Sequence, residues 1–429
     1  MFGYYLDLAL RSLKRNKVLT VLMVLAIAVG IGASMTTLTV MHILSGDPLP
    51  GRSAHLFYAQ LNPDIARPHA KEPAYVMDYH SAMDLWGAHR ADRQALIVNS
   101  AIKVVAPESA VPPLQLDMLS TTTDFFPMFG VPFHYGSGWS ADDDAQHARV
   151  VVISDDLNNK LFGGANSVGR TLRLGRSDLH IVGVLKPWRP APLFYEAWGN
   201  YTRPQDVMTP LTSGLEINDG HFMQFTCWDM PSTPGHLQNA PCEWVGLWVQ
   251  LDDAAKVSAY KQFLGDYAAQ QKSLGRFTSG VTRLRSLMQW LDYLGVVPDD
   301  VRLQNWLAFA FLAICLFNTI GLLLAKFLRR SGEIGVRRAL GASRAAIFAQ
   351  CLVEAGLLGL LGGIGGWLLT MAGLWLVRRQ PTDYADLIRL DLPMFLATFA
   401  VAIATSVLAG VLPAWRACRV APALQLKAL

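Results

Sequence analysis

A polar, basic segment of a dozen residues, from Glu333 to Arg344, separates two long apolar runs. The run before it, residues 305–325, and the run after it, residues 345–377, are each long enough to cross a lipid bilayer. A segment in this position must turn the chain round at one face of the membrane. Its residues can contact a partner in the aqueous phase while they are joined directly to two membrane helices.

Two further apolar runs are present, so the sequence predicts four transmembrane helices, at residues 18–44, 305–325, 345–377 and 392–412. The third run is longer than a span requires, and part of it is predicted to lie outside the hydrocarbon. Charged residues make up only 16% of the chain, against about 25% in an ordinary soluble protein. The net charge of +4 is small and most basic residues lie beside the spans, which argues against nucleic-acid binding.

Lysine and arginine residues set the predicted orientation. They lie before the first span, between the second and third spans (residues 326–344), and after the fourth (residues 413–429). By the positive-inside rule these segments and both termini are cytoplasmic. Residues 45–304 and the short loop 378–391 then face outward. The first apolar run is too long for a cleaved signal peptide and lacks a small-residue cleavage site, so we expect it to be retained.

Residues 1–17 precede the first span and carry apolar side chains at helical spacing, at Phe2, Leu6, Leu10 and Leu13. This spacing predicts an amphipathic helix that lies at the cytoplasmic interface. The alternative is a plain cytoplasmic extension of the first span.

The outward segment is long enough for one large domain or two small ones. Within residues 100–186, short runs of strand-like alternation surround a helix that Ser154 can cap and Gly163 can end. The order strand, helix, strand, strand predicts an α/β core there. The predicted fold class is therefore an α-helical membrane protein with four transmembrane helices and a large α+β domain between helices 1 and 2.

Residues 187–245 are rich in proline, glycine and aromatic side chains, which predicts a loop-rich insertion or a second subdomain. Exposed aromatic rings there would offer a surface to an apolar ligand or a protein partner. The alternative, which we favour, is that the rings form the core of a segment with little regular structure.

Two of the five cysteines, Cys227 and Cys242, lie in the outward segment. In an oxidising compartment such a pair is predicted to form a disulfide that closes a short loop. A zinc site that also uses His221 and His236 is the alternative, although the spacing matches no standard zinc finger. We therefore assign no metal site.

Helical periodicity returns within residues 252–304. It runs from Asp252 to Gly275, and it resumes at Leu284, Leu287, Met288, Leu291 and Leu294. We predict a helical stalk that leads into the second span. These apolar stripes suit a dimer contact and packing on the α/β core equally well.

The sequence contains no phosphate-binding loop, nucleophile elbow, His-Glu-x-x-His helix or dinucleotide fingerprint, so no catalytic residue is predicted. Asn318 and Glu354 are polar residues inside predicted spans. An intramembrane glutamate is a candidate functional residue. For Glu354 we favour the plainer alternative, a hydrogen bond or salt bridge to the basic segment, since one carboxylate is not a proton relay.

The residues from Cys315 to Arg330, followed by Glu333 to Arg344, closely resemble the MacB/FtsX-like family of ABC transporter permeases. In that family a segment reading Glu-Ile-Gly-Val-Arg-Arg-Ala-Leu-Gly-Ala joins the second and third spans. Other parts of the chain fit the same family: Glu354, the glycine-rich residues 358–366, the ending 412–417, and, for the periplasmic core domain, residues 124–132 and 150–169.

The resemblance implies a non-catalytic mechanotransmission permease of the bacterial inner membrane, with the outward domain in the periplasm. Two protomers, identical or homologous, would sit on two separate ABC ATPase subunits that bind ATP and Mg²⁺, since the ATPase domain fused in MacB is missing from this sequence. The resemblance places ATPase coupling at Glu333, Gly335, Arg337, Arg338, Gly341 and Ala342. For the arginines, the alternative is that they only fix orientation and bind anionic lipid.

The leading functional hypothesis is export of a substrate from the periplasm, with a periplasmic adaptor and an outer-membrane channel as further partners. A lipoprotein-extracting permease of the Lol type and an FtsX-like regulator of a cell-wall hydrolase are the alternatives. A stand-alone membrane enzyme is a more remote one.

Overall fold

The computed structural model describes residues 2–64, 71–105, 112–197, 201–218, 220–229, 237–388 and 392–418. The chain divides into two compact units. We call Met1–Ser45 together with Val297–Leu429 the membrane unit, and Gly46–Val296 the inserted unit. Parts of the predicted loop 378–391 and of the predicted tail 413–429 lie outside the described residues.

The helices are α1 (Phe2–Arg15), α2 (Lys17–Leu44), α3 (Tyr79–Gly87), α4 (Phe125–Phe129), α5 (Ala141–Ala145), α6 (Asp155–Phe162), α7 (Leu211–Ile217), α8 (Ala254–Ser273), α9 (Leu287–Tyr293), α10 (Asp299–Arg329), α11 (Ser331–Ala339), α12 (Arg344–Val377) and α13 (Leu392–Cys418). The strands are β1 (Leu56–Gln60), β2 (Arg93–Val105), β3 (Leu114–Thr121), β4 (Phe133–Gly136), β5 (Val150–Ile153), β6 (Thr171–Leu174), β7 (Ser177–Leu185), β8 (Val207–Pro210), β9 (Thr226–Cys227), β10 (Cys242–Glu243), β11 (Gly246–Gln250) and β12 (Arg283–Ser286).

Among the described residues, four helices of the membrane unit are long and apolar enough to cross a bilayer. They are α2, α10, α12 and the part of α13 from Phe395 to Arg416. The predicted fold class is confirmed. The helices extend beyond some predicted spans: α10 begins at Asp299, and α13 continues through Pro413 to Cys418, although we expected the cytoplasmic tail to begin at residue 413.

Helices α2 and α12 pack closely because small residues line their contact. A Cβ atom built on Gly362 would lie 2.5 Å from Cγ2 of Ile27, and one built on Gly366 would lie 2.8 Å from Cγ2 of Ile31. In a bilayer, where lipid is as apolar as leucine, such close contact is a main source of helix association. The glycines therefore hold these two helices together.

We expect Gly362→Ala to lower the free energy of unfolding by about 1–3 kcal/mol, because the new methyl group overpacks a contact already at its limit. Ile27 cannot turn aside, since its Cβ would itself lie 2.8 Å away. Gly356 lies on the same helix with no atom within 4 Å of its built Cβ. Gly356→Ala is the matched control and should be neutral or slightly stabilising. Thermal unfolding in detergent compares the two, and equal midpoints would contradict this view of the contact.

In the part of the inserted unit that the structure describes, ten strands form one sheet in the order β12-β1-β11-β2-β3-β8-β5-β7-β4, with β6 paired to β2 and β7. Most neighbours are antiparallel, but β3 pairs with β8, and β5 with β7, in parallel. The buried faces carry β-branched and leucine side chains, such as Val151, Ile153, Leu172 and Ile181. The α/β character predicted for residues 100–186 thus extends over a larger sheet.

The segment 187–245 is not a separate insertion or subdomain. Its strand β8 lies between β3 and β5 inside the sheet. This strand is hard to predict from the sequence because Pro204 precedes it and Pro210 ends it. Aromatic side chains of the segment are mainly core residues, as we favoured: Phe194, Tyr195 and Trp244 are all at most 2% exposed.

Helices α8 and α9 occupy the two helical stretches predicted within residues 252–304, but strand β12 lies between them, so the segment is not a helical stalk along its whole length. Helix α8 packs on the sheet through Tyr260 and Leu264, which are each 1% exposed. The second stripe divides into strand β12 and the short helix α9, which Ser286 caps with its side chain. Hydrogen bonds to β1 place Leu284 in a strand at the sheet edge, while the rest of the stripe is helical.

Candidate functional site

Charged and polar side chains of the membrane unit gather where α1, the end of α10, α11 and the start of α12 meet. We call this group the ionic cluster, and its members are Ser12, Arg15, Lys326, Arg330, Glu333, Arg337, Gln350 and Glu354. Four helices contribute to it, although α1 and α12 are more than 300 residues apart in sequence.

Glu354 lies at the centre of the ionic cluster and is 1% exposed. Its Oε1 lies 2.5 Å from the Nζ of Lys326, which is itself 0% exposed, and accepts a hydrogen bond of 2.5 Å from the Ser12 hydroxyl. Its Oε2 accepts from Nη1 of Arg330 at 3.2 Å. The Glu354 carboxylate is therefore paired and hydrogen-bonded, as a buried charge requires, whereas Lys326 Nζ is paired in charge but makes no hydrogen bond to the described residues. Glu354 thus forms salt bridges to basic residues of the connection 326–344, and its two partners lie just before Glu333.

Glu333 is the second carboxylate of the cluster and lies nearer its surface. It accepts from Arg330 and Arg15, each at 3.2 Å, and its Oε1 lies 3.4 Å from Nη2 of Arg337. Burial raises the pKa of Glu333, but the hydrogen bond and charge of Arg330, with those of Arg15, outweigh burial and hold it below its usual value. Glu333 is therefore an anion at neutral pH.

Arg330 connects the two carboxylates. It donates to Glu354 and to the Ser12 hydroxyl from the same nitrogen, Nη1, and to Glu333 from Nε and Nη2. Its side chain is 11% exposed. One planar guanidinium with several donors can hold two carboxylates at fixed angles, which a lysine cannot do. The amphipathic helix α1 is thereby joined to α10, α11 and α12 through ion pairs.

The end of α11 also carries exposed apolar side chains. Val336 is 47% exposed and Leu340 is 83% exposed. These residues are four apart and so lie on the same side of the helix. We call Val336, Ala339 and Leu340 the α11 patch. Sequence reasoning overlooked it because the arginines dominate the segment, although the i, i+4 spacing of its two large apolar residues was visible.

Two of the six predicted coupling residues lie in the ionic cluster. Glu333 and Arg337 point into the ionic cluster, and Arg337 also donates to Oε1 of Gln350 at 3.1 Å. Gly341 ends the turn after α11 with a φ of +100°, a conformation that favours glycine. The others are placed as follows: Gly335 and Arg338 are half-buried on α11, and Ala342 packs against the core of the membrane unit.

The remaining candidate residues lie outside the ionic cluster. Asn318 is exposed on α10. In the inserted unit Cys227 and Cys242 are joined as a disulfide between β9 and β10. Both sulfur atoms are used in that bond, and His236, the fourth ligand of the zinc alternative, falls outside the described residues. The histidine at 221 instead lies 3.1 Å from the carbonyl oxygen of Asn218.

Comparison with protein families matches both parts of the chain. Residues 20–265 match the model of the MacB-like periplasmic core domain. Residues 305–422 match the model of the FtsX-like permease C-terminal region.

Curated relatives include the macrolide export ATP-binding/permease protein MacB of Azoarcus sp. (strain BH72), 24% identical over 69% of this chain and 40% of the relative. The pyoverdine export ATP-binding/permease protein PvdT of Pseudomonas entomophila (strain L48) is 25% identical over 70% of this chain and 41% of the relative. The chain thus spans about two fifths of the length of these relatives. Among solved structures, the periplasmic region of MacB from Actinobacillus actinomycetemcomitans aligns with 56% of this chain and 92% of that one, with 12% identity and a TM-score of 0.37.

Proposed function

The chain belongs to the MacB/FtsX-like family of ABC transporter permeases, and from this membership we propose that it is the permease subunit of an ATP-driven exporter. A separate ABC ATPase would bind ATP and Mg²⁺ and supply the force. The inserted unit would face the periplasm and α11 the cytoplasm of a bacterial inner membrane, as the positive-inside rule predicts. The names of the relatives, which are export ATP-binding/permease proteins, support export over the alternatives.

The ionic cluster is the observation that carries this proposal. A segment that receives force from a partner must be fixed firmly to the helices that move. Arg330 is ion-paired with Glu333 of α11 and with the buried Glu354 of α12, and it donates a hydrogen bond to the Ser12 hydroxyl of α1. A displacement of α11 is then passed to the membrane helices instead of being lost in a flexible loop.

The proposed ATPase contact is the α11 patch. Interfaces place apolar and aromatic anchors at their centre and charges at their rim. Leu340 is the most exposed large apolar residue of the patch and follows the last turn of α11, which contains Arg338. Glu333 and Arg337 would contribute by holding α11 in position. A second permease protomer, identical or homologous, would sit on the second ATPase, and a periplasmic adaptor and outer-membrane channel would complete an export route.

Purification of the tagged chain from native membranes tests the proposal. We expect an ABC ATPase to co-purify, and we expect its ATP hydrolysis to change at least about twofold when the chain is present in proteoliposomes. An adaptor in the same sample would favour export, and a cell-wall hydrolase would favour the FtsX-like alternative. The proposal would be contradicted if the intact chain is recovered without any ATPase and its transport activity does not depend on ATP.

A further inference from the structure

A cavity of about 500 Å³ opens in the inserted unit at one end of the sheet. The parallel strands β3 and β8 both finish there, since Thr122 and Asp124 follow β3 and Leu211 and Thr212 follow β8. Ligands commonly bind outside the carboxyl ends of parallel strands. The volume is within the range of small-molecule sites.

Two residues that line this cavity carry buried side-chain oxygens with no hydrogen-bond partner among the described residues. Gln94 lines it and is only 3% exposed; its Nε2 donates to the carbonyl of Trp86, while its Oε1 has no partner among the described residues. The hydroxyl oxygen of Thr212 is also buried there without a partner in that part of the chain. Buried polar atoms left unpaired are costly, and an incoming donor would remove the cost.

Two carboxylates complete the polar side. Asp124 is fixed by the backbone N–H of Gln94, which donates to its Oδ2 at 3.0 Å. Asp144 accepts from the backbone N–H of Thr123 at 2.7 Å and from Nε1 of Trp139 at 2.8 Å. Both are therefore held in position before any ligand arrives. Their negative charge selects a cation with several N–H donors.

The other side of the cavity is apolar. Met83 and Trp86 of α3 line it together with Leu211 of α7. A sulfur and an indole ring next to aliphatic carbon suit a flat or flexible apolar group. A ligand of matching chemistry has a charged end and an apolar body.

We propose that this cavity binds a small amphipathic primary amine. The ammonium group would donate to Asp124, Gln94 and Thr212 near the charge of Asp144, and the apolar body would lie against Met83, Trp86 and Leu211. The inference concerns binding only and does not rest on the proposed export, because it can be measured without an ATPase.

The test compares 4-phenylbutylamine with the neutral 4-phenylbutan-1-ol by titration calorimetry of the full chain in lipid nanodiscs, with empty nanodiscs subtracted. We expect the amine to bind at least about tenfold more tightly, because hydrogen bonds to charged groups are worth more than neutral ones. Asp124→Asn should remove this preference. Thr212→Val should lower the affinity for the amine by about threefold. It should not destabilise the fold, since the hydroxyl of Thr212 has no hydrogen-bond partner among the described residues.

Asp142→Asn is the matched control, because Asp142 is exposed on the same short helix as Asp144 and does not line the cavity. It should change the affinity for the amine by less than about twofold, since screened surface charges act weakly at a distance. Equal binding of amine and alcohol, equal effects of the substitutions at 124 and 142, or binding of neither probe would overturn the proposal. If Asp124→Asn fails to fold, the effect of Thr212→Val decides.

We expect acid to weaken binding of the amine and to leave binding of the alcohol unchanged. Burial raises the pKa of Asp144 to about 6; hydrogen bonds from Thr123 and Trp139 oppose this rise, and the charges of Asp124 and Asp143 add to it. Below that pH the carboxyl is neutral and attracts a cation less. His89 and His147 also line the cavity, and any charge they gain in acid acts in the same direction. Unchanged affinity for the amine between about pH 7 and pH 5 would also count against the proposal.

Discussion

Replacing Glu354 with alanine is expected to lower the free energy of unfolding of the membrane unit by about 3–5 kcal/mol, the usual cost of removing one partner from a buried ion pair. Lys326 is 0% exposed and would be left with an uncompensated charge. Arg330 would lose one of its two carboxylates and the Ser12 hydroxyl its acceptor. Denaturation of the full chain in mixed micelles measures the loss.

Two further variants show whether the loss of stability in Glu354→Ala comes from the buried charge that remains or from mutation of the chain in general. Asp7 pairs with Arg11 on the exposed face of α1 at 2.7 Å, with 55% of its side chain exposed. Asp7→Ala should therefore cost no more than about 1 kcal/mol. The double variant Lys326→Met with Glu354→Gln removes both charges and should recover most of the stability lost in Glu354→Ala, because uncharged replacements of a buried pair are often neutral. An alanine variant at 354 as stable as the native chain would show that the ionic cluster does not hold the helices together.

The membrane unit could be predicted well because the relevant signals are local. About 20 consecutive apolar residues identify a span wherever they occur, and the basic segment identifies one end of it. A salt bridge of Glu354 to basic residues between the second and third spans could be expected from its position near the cytoplasmic end, although its partners Lys326 and Arg330 lie before Glu333. The participation of Ser12 and Arg15 could not be predicted, since contacts between residues more than 300 positions apart leave no periodic pattern in one sequence.

The inserted unit shows where local signals fail. Leu284 belongs to an apolar stripe with helical spacing, but pairing of β12 with β1 places it in a strand. Strand β8 is four residues long and ends in proline, yet it completes the sheet between β3 and β5. Strand pairing depends on the partner strand and on both faces, so propensity along one segment is a poor guide to it. The cavity beside β3 and β8 could not be predicted from the sequence for the same reason.

The second large predicted effect concerns binding of the ABC ATPase to the α11 patch. Leu340→Glu is expected to weaken binding of the ABC ATPase by at least about tenfold, because an apolar anchor at an interface is commonly worth 2 kcal/mol or more. The residue is 83% exposed, so the substitution should leave the stability of the chain unchanged within about 0.5 kcal/mol. The measurements are the amount of co-purified ATPase and the thermal midpoint of the permease. Leu274→Glu, at a leucine 65% exposed in the inserted unit, is the control.

Arg337→Glu distinguishes this patch from docking through charge. Arg337 pairs with Glu333 and hydrogen-bonds Gln350, so its reversal places two carboxylates together on α11 and should lower the thermal midpoint. If the patch is the contact, Leu340→Glu abolishes binding of the ATPase and leaves the thermal midpoint of the permease unchanged. Arg337→Glu then weakens binding of the ATPase only as far as it destabilises the membrane unit. If Leu340→Glu retains the ATPase and Arg337→Glu releases it from a fully stable chain, the arginine itself makes the contact. In that case the α11 patch would face lipid, and the force would enter through the charged side of the helix.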